Sequence, residues 1–109
     1  DEQHLALQIK KKLINNGHIV KTSFGVNAFK KDNNSDCNLY ILDIWLEDGT
    51  WFDIIKWLRV ENNIKAPIIL MSWYNDNDTK NYWFSLWAND FIDKPFSSNE
   101  LLERINTFI

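Results

Sequence analysis

One cysteine, Cys37, leaves the chain without an internal disulfide, and the Asn and Asp residues around it offer no basic group to activate the thiol. No apolar run approaches the roughly 20 residues that a membrane-spanning helix needs. The three glycines form no cluster, so no glycine- and hydroxyl-rich phosphate loop is visible. Positive charge is sparse as well. Twelve Lys and Arg stand against fifteen Asp and Glu, for a formal net charge of -3, and Lys10, Lys11 and Lys12, read as a solvated helix face, are the only basic cluster. Such a surface does not suit a nucleic-acid backbone. These absences point to a reducing, cytoplasmic setting and to partners other than nucleic acid or membrane. What is present is 109 residues, 45% of them hydrophobic, enough for one globular domain with a modest core. The chain starts on Asp1 in polar, helix-like sequence without a signal-peptide pattern, as a fragment would.

Periodicity divides this domain into alternating elements. In "EQHLALQIKKKLINNG" Leu5, Ile9 and Leu13 recur four apart before an Asn-Gly stop, which predicts a first helix. "HIVKTS" is a short strand candidate and "VNAFKKD" a short helix around Phe29. "NLYIL" and "PIILMS" are apolar runs without clean alternation, as in parallel strands covered on both faces. Between them "FDIIKWLRV" brings Phe52, Ile55 and Leu58 to one side of a helix; "NDTKNYWFSLWA" suits another helix and "DFID" a short strand. The final segment opens with Ser97 and Glu100 at capping-box spacing and gathers Leu101, Leu102, Ile105, Phe108 and Ile109 on one broad face. Strands alternating with helices in this way predict an open parallel sheet with helices on both faces and right-handed crossovers.

Sheets of that kind bind ligands beyond the carboxyl ends of their strands. Asp43, Ser72 and Lys94 each follow or close a predicted strand, and Asp1 and Glu2 stand before the first helix, where a preceding strand would deliver them to the same edge. Carboxylates, a hydroxyl and an ammonium together suit phosphoryl handling. Acids hold Mg²⁺ through oxygen, Lys adds a point charge, the hydroxyl donates a hydrogen bond, and Asp43 is left to act as nucleophile. Taken singly, each residue also fits a plainer role: Asp as a turn residue, Ser as a strand end, Lys as a solvated loop residue. His4 and His18 have no second ligand at metal spacing.

The stretches "DEQHL", "LYILDIWLEDGTWFDIIKWLR", "PIILMS" and "ANDFIDKPFSSNELLERI" together resemble the receiver domain of two-component response regulators, over essentially the whole chain. The resemblance implies a flavodoxin-like, doubly wound parallel sheet, a (βα)5 receiver fold over residues 1–109 that lacks its first strand and the first acid of the family's acidic pair. It implies that Asp43 accepts a phosphoryl group from a sensor histidine kinase or phosphotransfer protein, a self-catalysed acceptance without turnover of an external substrate. Mg²⁺ would be held by Asp1, Asp43 and the backbone carbonyl of Trp45. Ser72 is similar to the switch hydroxyl, Phe91 to the switch aromatic, and Lys94, before Pro95, to the phosphate-contacting lysine. The face made by the fourth helix, last strand and last helix would report the phosphorylated state to a second copy or to an output domain.

Trp51, Trp73, Trp83 and Trp87 stand where receivers usually carry small residues, most often Gly. One cause would cover all four: UGA codons read as Gly in the source and translated as Trp. UGG at all four positions would instead leave a receiver adapted to bulk. Two other functions compete with the phosphorylatable receiver. Trp73 and the missing acid favour a degenerate receiver that only binds other proteins. A flavodoxin-like flavin binder would use the Trp and Tyr rings but needs the phosphate loop that is not visible.

Overall fold

The computed structural model describes residues 2–21, 26–31, 36–43, 50–72, 88–94 and 96–109, with backbone alone for 2–6, 26–28, 43, 50–52 and 72. Helix α1 (Glu2–Asn15) follows the predicted first helix. Its end is built on Gly17, whose φ of +89 is a left-handed conformation that a Cβ disfavours. In that turn the Gly17 N–H donates to the Ile14 carbonyl at 3.0 Å and the His18 N–H to the Leu13 carbonyl at 3.1 Å. The Asn16 side chain donates to the Lys12 carbonyl at 2.8 Å, so the carbonyls of Lys12, Leu13 and Ile14 find partners within the turn.

Three strands, β1 (Tyr40–Asp43), β2 (Ile68–Ser72) and β3 (Asp90–Asp93), form a parallel sheet in the order β1-β2-β3. They match the predicted "NLYIL", "PIILMS" and "DFID" runs. Their lack of alternation has the expected cause. Tyr40, Leu42, Ile68, Leu70 and Phe91 enter a core with Phe29, Ile55 and Leu58, beneath α2 (Val26–Lys31) and α3 (Thr50–Lys56). The intervening Ile69, Met71 and Ile92 enter a second core with Leu13, Leu101 and Ile105, beneath α1 and α4 (Ser98–Phe108). Both sheet faces are dry, so both parities along each strand are apolar. The first core is closed by rings: Phe29 meets Tyr40 edge-on at 6.1 Å between centroids and Trp57 at 5.4 Å.

Some expectations are corrected. Residues 18–21 of the "HIVKTS" strand candidate run as irregular chain, and 22–25 lie outside the described residues. The period-two signal is present, since Val20 packs on the second core while Ile19 is 97% exposed. A strand is defined by its ladder, however, and among the described residues no strand pairs with this segment. After α3 the chain widens into a π-helical turn, Trp57–Glu61, closed by Asn62 donating from its backbone at 3.0 Å and its side chain at 2.8 Å to the Trp57 carbonyl. Ile55 and Leu58 are fully buried as expected, whereas the Phe52 side chain is outside the described set. In α4 the Ser97 hydroxyl accepts from the Glu100 N–H at 3.1 Å, as the capping-box spacing implies, but Ile109 at the end of the predicted apolar face is exposed. The predicted "NDTKNYWFSLWA" helix falls on residues 77–88, of which only Ala88 lies among the described residues.

Burial of Tyr40 pushes its hydroxyl up to about 12 from an ordinary 10.0, with the adjacent Cys37 adding to the rise. The unfolded chain gives up this proton near pH 10 and the folded chain holds it to about 12, so stability is intact below pH 10 and falls as pH rises through that window. Urea midpoints measured below pH 10 and near pH 12 should show a steeper alkaline loss for the natural chain than for Tyr40→Phe.

Candidate functional site

The carboxyl ends of the three strands gather the residues singled out in the sequence. Asp43 is the last residue of β1 and pairs in register with Met71; Ser72 is the last of β2 and pairs with Asp93, the last of β3; Lys94 follows directly. Parallel neighbours stand about 4.8 Å apart, so positions 43, 72 and 94 share one sheet edge within a span of about 10 Å. Asp1, Trp45 and Pro95 lie outside the described residues.

Lys94 is the informative side chain at this edge. It is 7% exposed and is the only buried polar or charged residue among the described ones. An ammonium leaves water at a cost of several kcal/mol unless hydrogen bonds or anions compensate it, and Lys94 is buried at the edge that also carries Asp43. Its position was legible in the sequence; its burial was not, because the plain reading of a lysine before a proline is a solvated loop residue.

Phe91 is 6% exposed and belongs to the core beneath α2 and α3. Its backbone is held by a side-chain clamp. The Phe91 N–H donates to Asp90 Oδ1 at 2.7 Å, and Arg104 of α4 donates from Nη1 to the same oxygen at 2.7 Å and to the Phe91 carbonyl at 3.1 Å. These bonds occupy the backbone groups of β3 that a further strand would otherwise pair, and they tie Phe91 to the last helix. Sequence reading missed the clamp; the only signal was an acid opening a strand and an arginine on the inner side of the next helix, fourteen residues on.

The opposite edge of the sheet serves structure. Arg59 donates from Nη1 to the carbonyls of Ile64 at 2.9 Å and Ala66 at 2.7 Å, and from Nη2 to Asn89 Oδ1 at 2.8 Å, an oxygen that also accepts the Ile68 N–H at 2.9 Å. Desolvation lowers the pKa of this guanidinium. A shallow cavity of about 490 Å³ beside it is lined by Val60, Asn63, Ile64, Lys65, Ala88 and Asn89, all preceding β2 or β3 rather than following them. The cavity therefore lies away from the edge that carries Asp43 and Lys94.

Two carboxylates and a backbone carbonyl make an all-oxygen donor set that suits Mg²⁺. Of that set only Asp43 lies in the described part, at the strand end where such a cluster would need it. Among the described residues no group of three His, Cys, Asp or Glu could hold a metal, and no helix is long and apolar enough to cross a membrane. Cys37 is a free thiol. Trp51 lies in the first turn of α3 with its backbone alone described, and Trp73, Trp83 and Trp87 lie outside. Trp57, by contrast, is partly buried against Phe29, as a ring that belongs in its core would be.

Comparison with known proteins agrees with this geometry. The model of the response regulator receiver domain matches residues 1–106. The transcriptional regulatory protein CusR of Escherichia coli (strain K12) is 32% identical over 110 aligned residues, covering 100% of this chain and 48% of CusR. The response regulator RR06 of Streptococcus pneumoniae is 28% identical over 84% of this chain and 42% of its own length. The chain thus spans about half the length of the curated relatives it matches. Among solved structures, the receiver domain of the Francisella response regulator 1452 superposes with a TM-score of 0.85 at 27% identity, covering 99% of this chain and 89% of that one. The BeF3-activated DrrB receiver domain superposes with a TM-score of 0.83 at 26% identity, covering 96% and 87%. The parallel sheet covered on both faces and the match along nearly the whole sequence place this chain in the response regulator receiver domain family, the regulatory modules of two-component signalling.

Proposed function

We propose that this receiver, spanning residues 1–109, is a phosphorylation-dependent switch that takes a phosphoryl group onto Asp43 from the phosphohistidine of a sensor kinase or phosphotransfer protein. The observation that carries the reading is the shared edge of Asp43, Ser72 and a buried Lys94. A carboxylate oxygen of Asp43 attacks phosphorus, the P–N bond to the donor imidazole breaks, and its electron pair stays on the imidazole. Mg²⁺, held by Asp1, Asp43 and the carbonyl of Trp45, would supply neutralisation of phosphate charge. The Lys94 ammonium stabilises charge on the phosphoryl oxygens at an edge where its own desolvation has already been met by folding. The Ser72 hydroxyl donates to the new dianion, and Phe91, tied through Arg104 to α4, repacks as the edge tightens. The surface of β3 and α4 then reports the state to a second copy or to an output domain, as expected for a chain whose relatives include transcriptional regulators twice its length.

Incubation with acetyl phosphate and Mg²⁺ should add the mass of one phosphoryl group to the intact chain, and Asp43→Asn should take up none. Equal uptake by Asp43→Asn would place the chemistry on another residue. No uptake by the natural chain, from acetyl phosphate or a phosphorylated donor, would favour a receiver that works only by binding other proteins.

A further inference from the structure

Two charged residues, not one, stand where β3 ends. Asp93 closes the strand in register with Ser72, and Lys94 follows. Along β3, Phe91 enters the core beneath α2 and α3 and Ile92 the core beneath α1 and α4. Alternation therefore returns position 93 to the face of Phe91. Along β2, Ile68 and Leu70 belong to that same core and Ile69 and Met71 to the other, which puts position 72 on the face of position 93. Positions 72 and 93 are thus in-register neighbours on one face, with backbones about 4.8 Å apart. Asp93 is half-buried, and Phe91, two residues before it, is held by the Asp90 and Arg104 clamp, so the end of β3 is fixed from behind.

We propose that Asp93 is a brake on the phosphorylated state. This inference rests on the reading of Asp43 as phosphoacceptor and Ser72 as the hydroxyl that turns to it. A serine hydroxyl has a single proton to donate, and an ionised carboxylate is an acceptor only. A charged acceptor beside Ser72 competes for that proton with the phosphoryl oxygens on Asp43, which are charged acceptors too. The same carboxylate adds like charge to an edge that must take up a dianion. Both effects have one sign: Asp93 favours the unmodified chain and shortens the life of the acyl phosphate. Lys94 and Asp93 are therefore opposed neighbours, one favouring the phosphoryl group and the other limiting it. Asp93 is a positioning residue that acts through Ser72 and need not touch the phosphoryl group.

The test titrates beryllofluoride into the full chain with Mg²⁺ in excess and measures phosphoryl half-life after acetyl phosphate is removed. Asp93→Asn, equal in size but uncharged, should bind beryllofluoride at about fivefold lower concentration and lengthen the half-life by a similar factor, the scale of one ordinary hydrogen bond, because the competition offsets only part of a charge-assisted one. Asp93→Glu restores the charge and should stay within about twofold of the natural chain. Asp93→Ser is a second neutral variant should the Asn form melt early. An unchanged or weaker midpoint in both neutral variants overturns the proposal, as does a gain that Asp93→Glu shares. A natural chain indistinguishable from Asp43→Asn would instead overturn the phosphoacceptor reading, and the brake with it.

Discussion

Replacing Lys94 by Met should slow the loading of Asp43 by acetyl phosphate by roughly 10²-fold, the usual effect of removing one fixed charge from a site where negative charge develops. Met keeps the length of the stem and its contacts, so the fold survives. The magnitude follows from burial. At 7% exposure the ammonium acts across a medium less polarisable than water, and it needs no reorganisation when the phosphoryl group arrives. The rate of mass gain in the presence of Mg²⁺ checks this, alongside a melt showing that the variant is folded. Loading within about threefold of the natural rate would show that Lys94 is buried for packing alone.

The largest loss of stability is expected from Ile69→Ala. Ile69 lies in β2, the middle strand, is fully buried, and sits in the core that also holds Leu13, Ile92, Leu101 and Ile105. Strands on both sides fix the backbone, so the site cannot collapse around the missing atoms, and the cost is about 3–4 kcal/mol. A domain typically has roughly 5–15 kcal/mol in hand, so the urea midpoint should fall by a large fraction. Leu102, on α4 at the margin of the same core, is only partly buried, and Leu102→Ala should cost less than half as much, about 1–1.5 kcal/mol. Equal losses at the two positions would mean that the sheet's second face is not the tightly filled core described.

How much of this was legible in the sequence depends on how local the cause of each feature is. β1, β2 and β3 could be read because a strand with two dry faces must be apolar at both parities, and "LYIL" and "IILM" carry that signal by themselves. The start of α4 was equally local, since Ser97 and Glu100 are three residues apart and the bond forms between them. Residues 18–21 have the pattern of a strand but, among the described residues, not the ladder, and pairing is a property of two segments. The clamp on Phe91 joins residues fourteen apart on different elements, and no spacing rule links Asp90 to Arg104. At the site, the strand-end positions of Asp43, Ser72 and Lys94 were legible because a parallel sheet delivers such positions to one edge. The burial of Lys94 and the register of Asp93 against Ser72 were not, because both are set by how the strands align.

Reduction with borohydride after incubation with acetyl phosphate and Mg²⁺ converts an aspartyl phosphate to homoserine, and peptide mass mapping then locates it. Modification confined to Asp43, at the end of "LYILD", and absent when Mg²⁺ is chelated, is the predicted result. Homoserine at any other aspartate, or at none while the chain takes up phosphate, would contradict the claim that the three strand ends form a phosphoacceptor site.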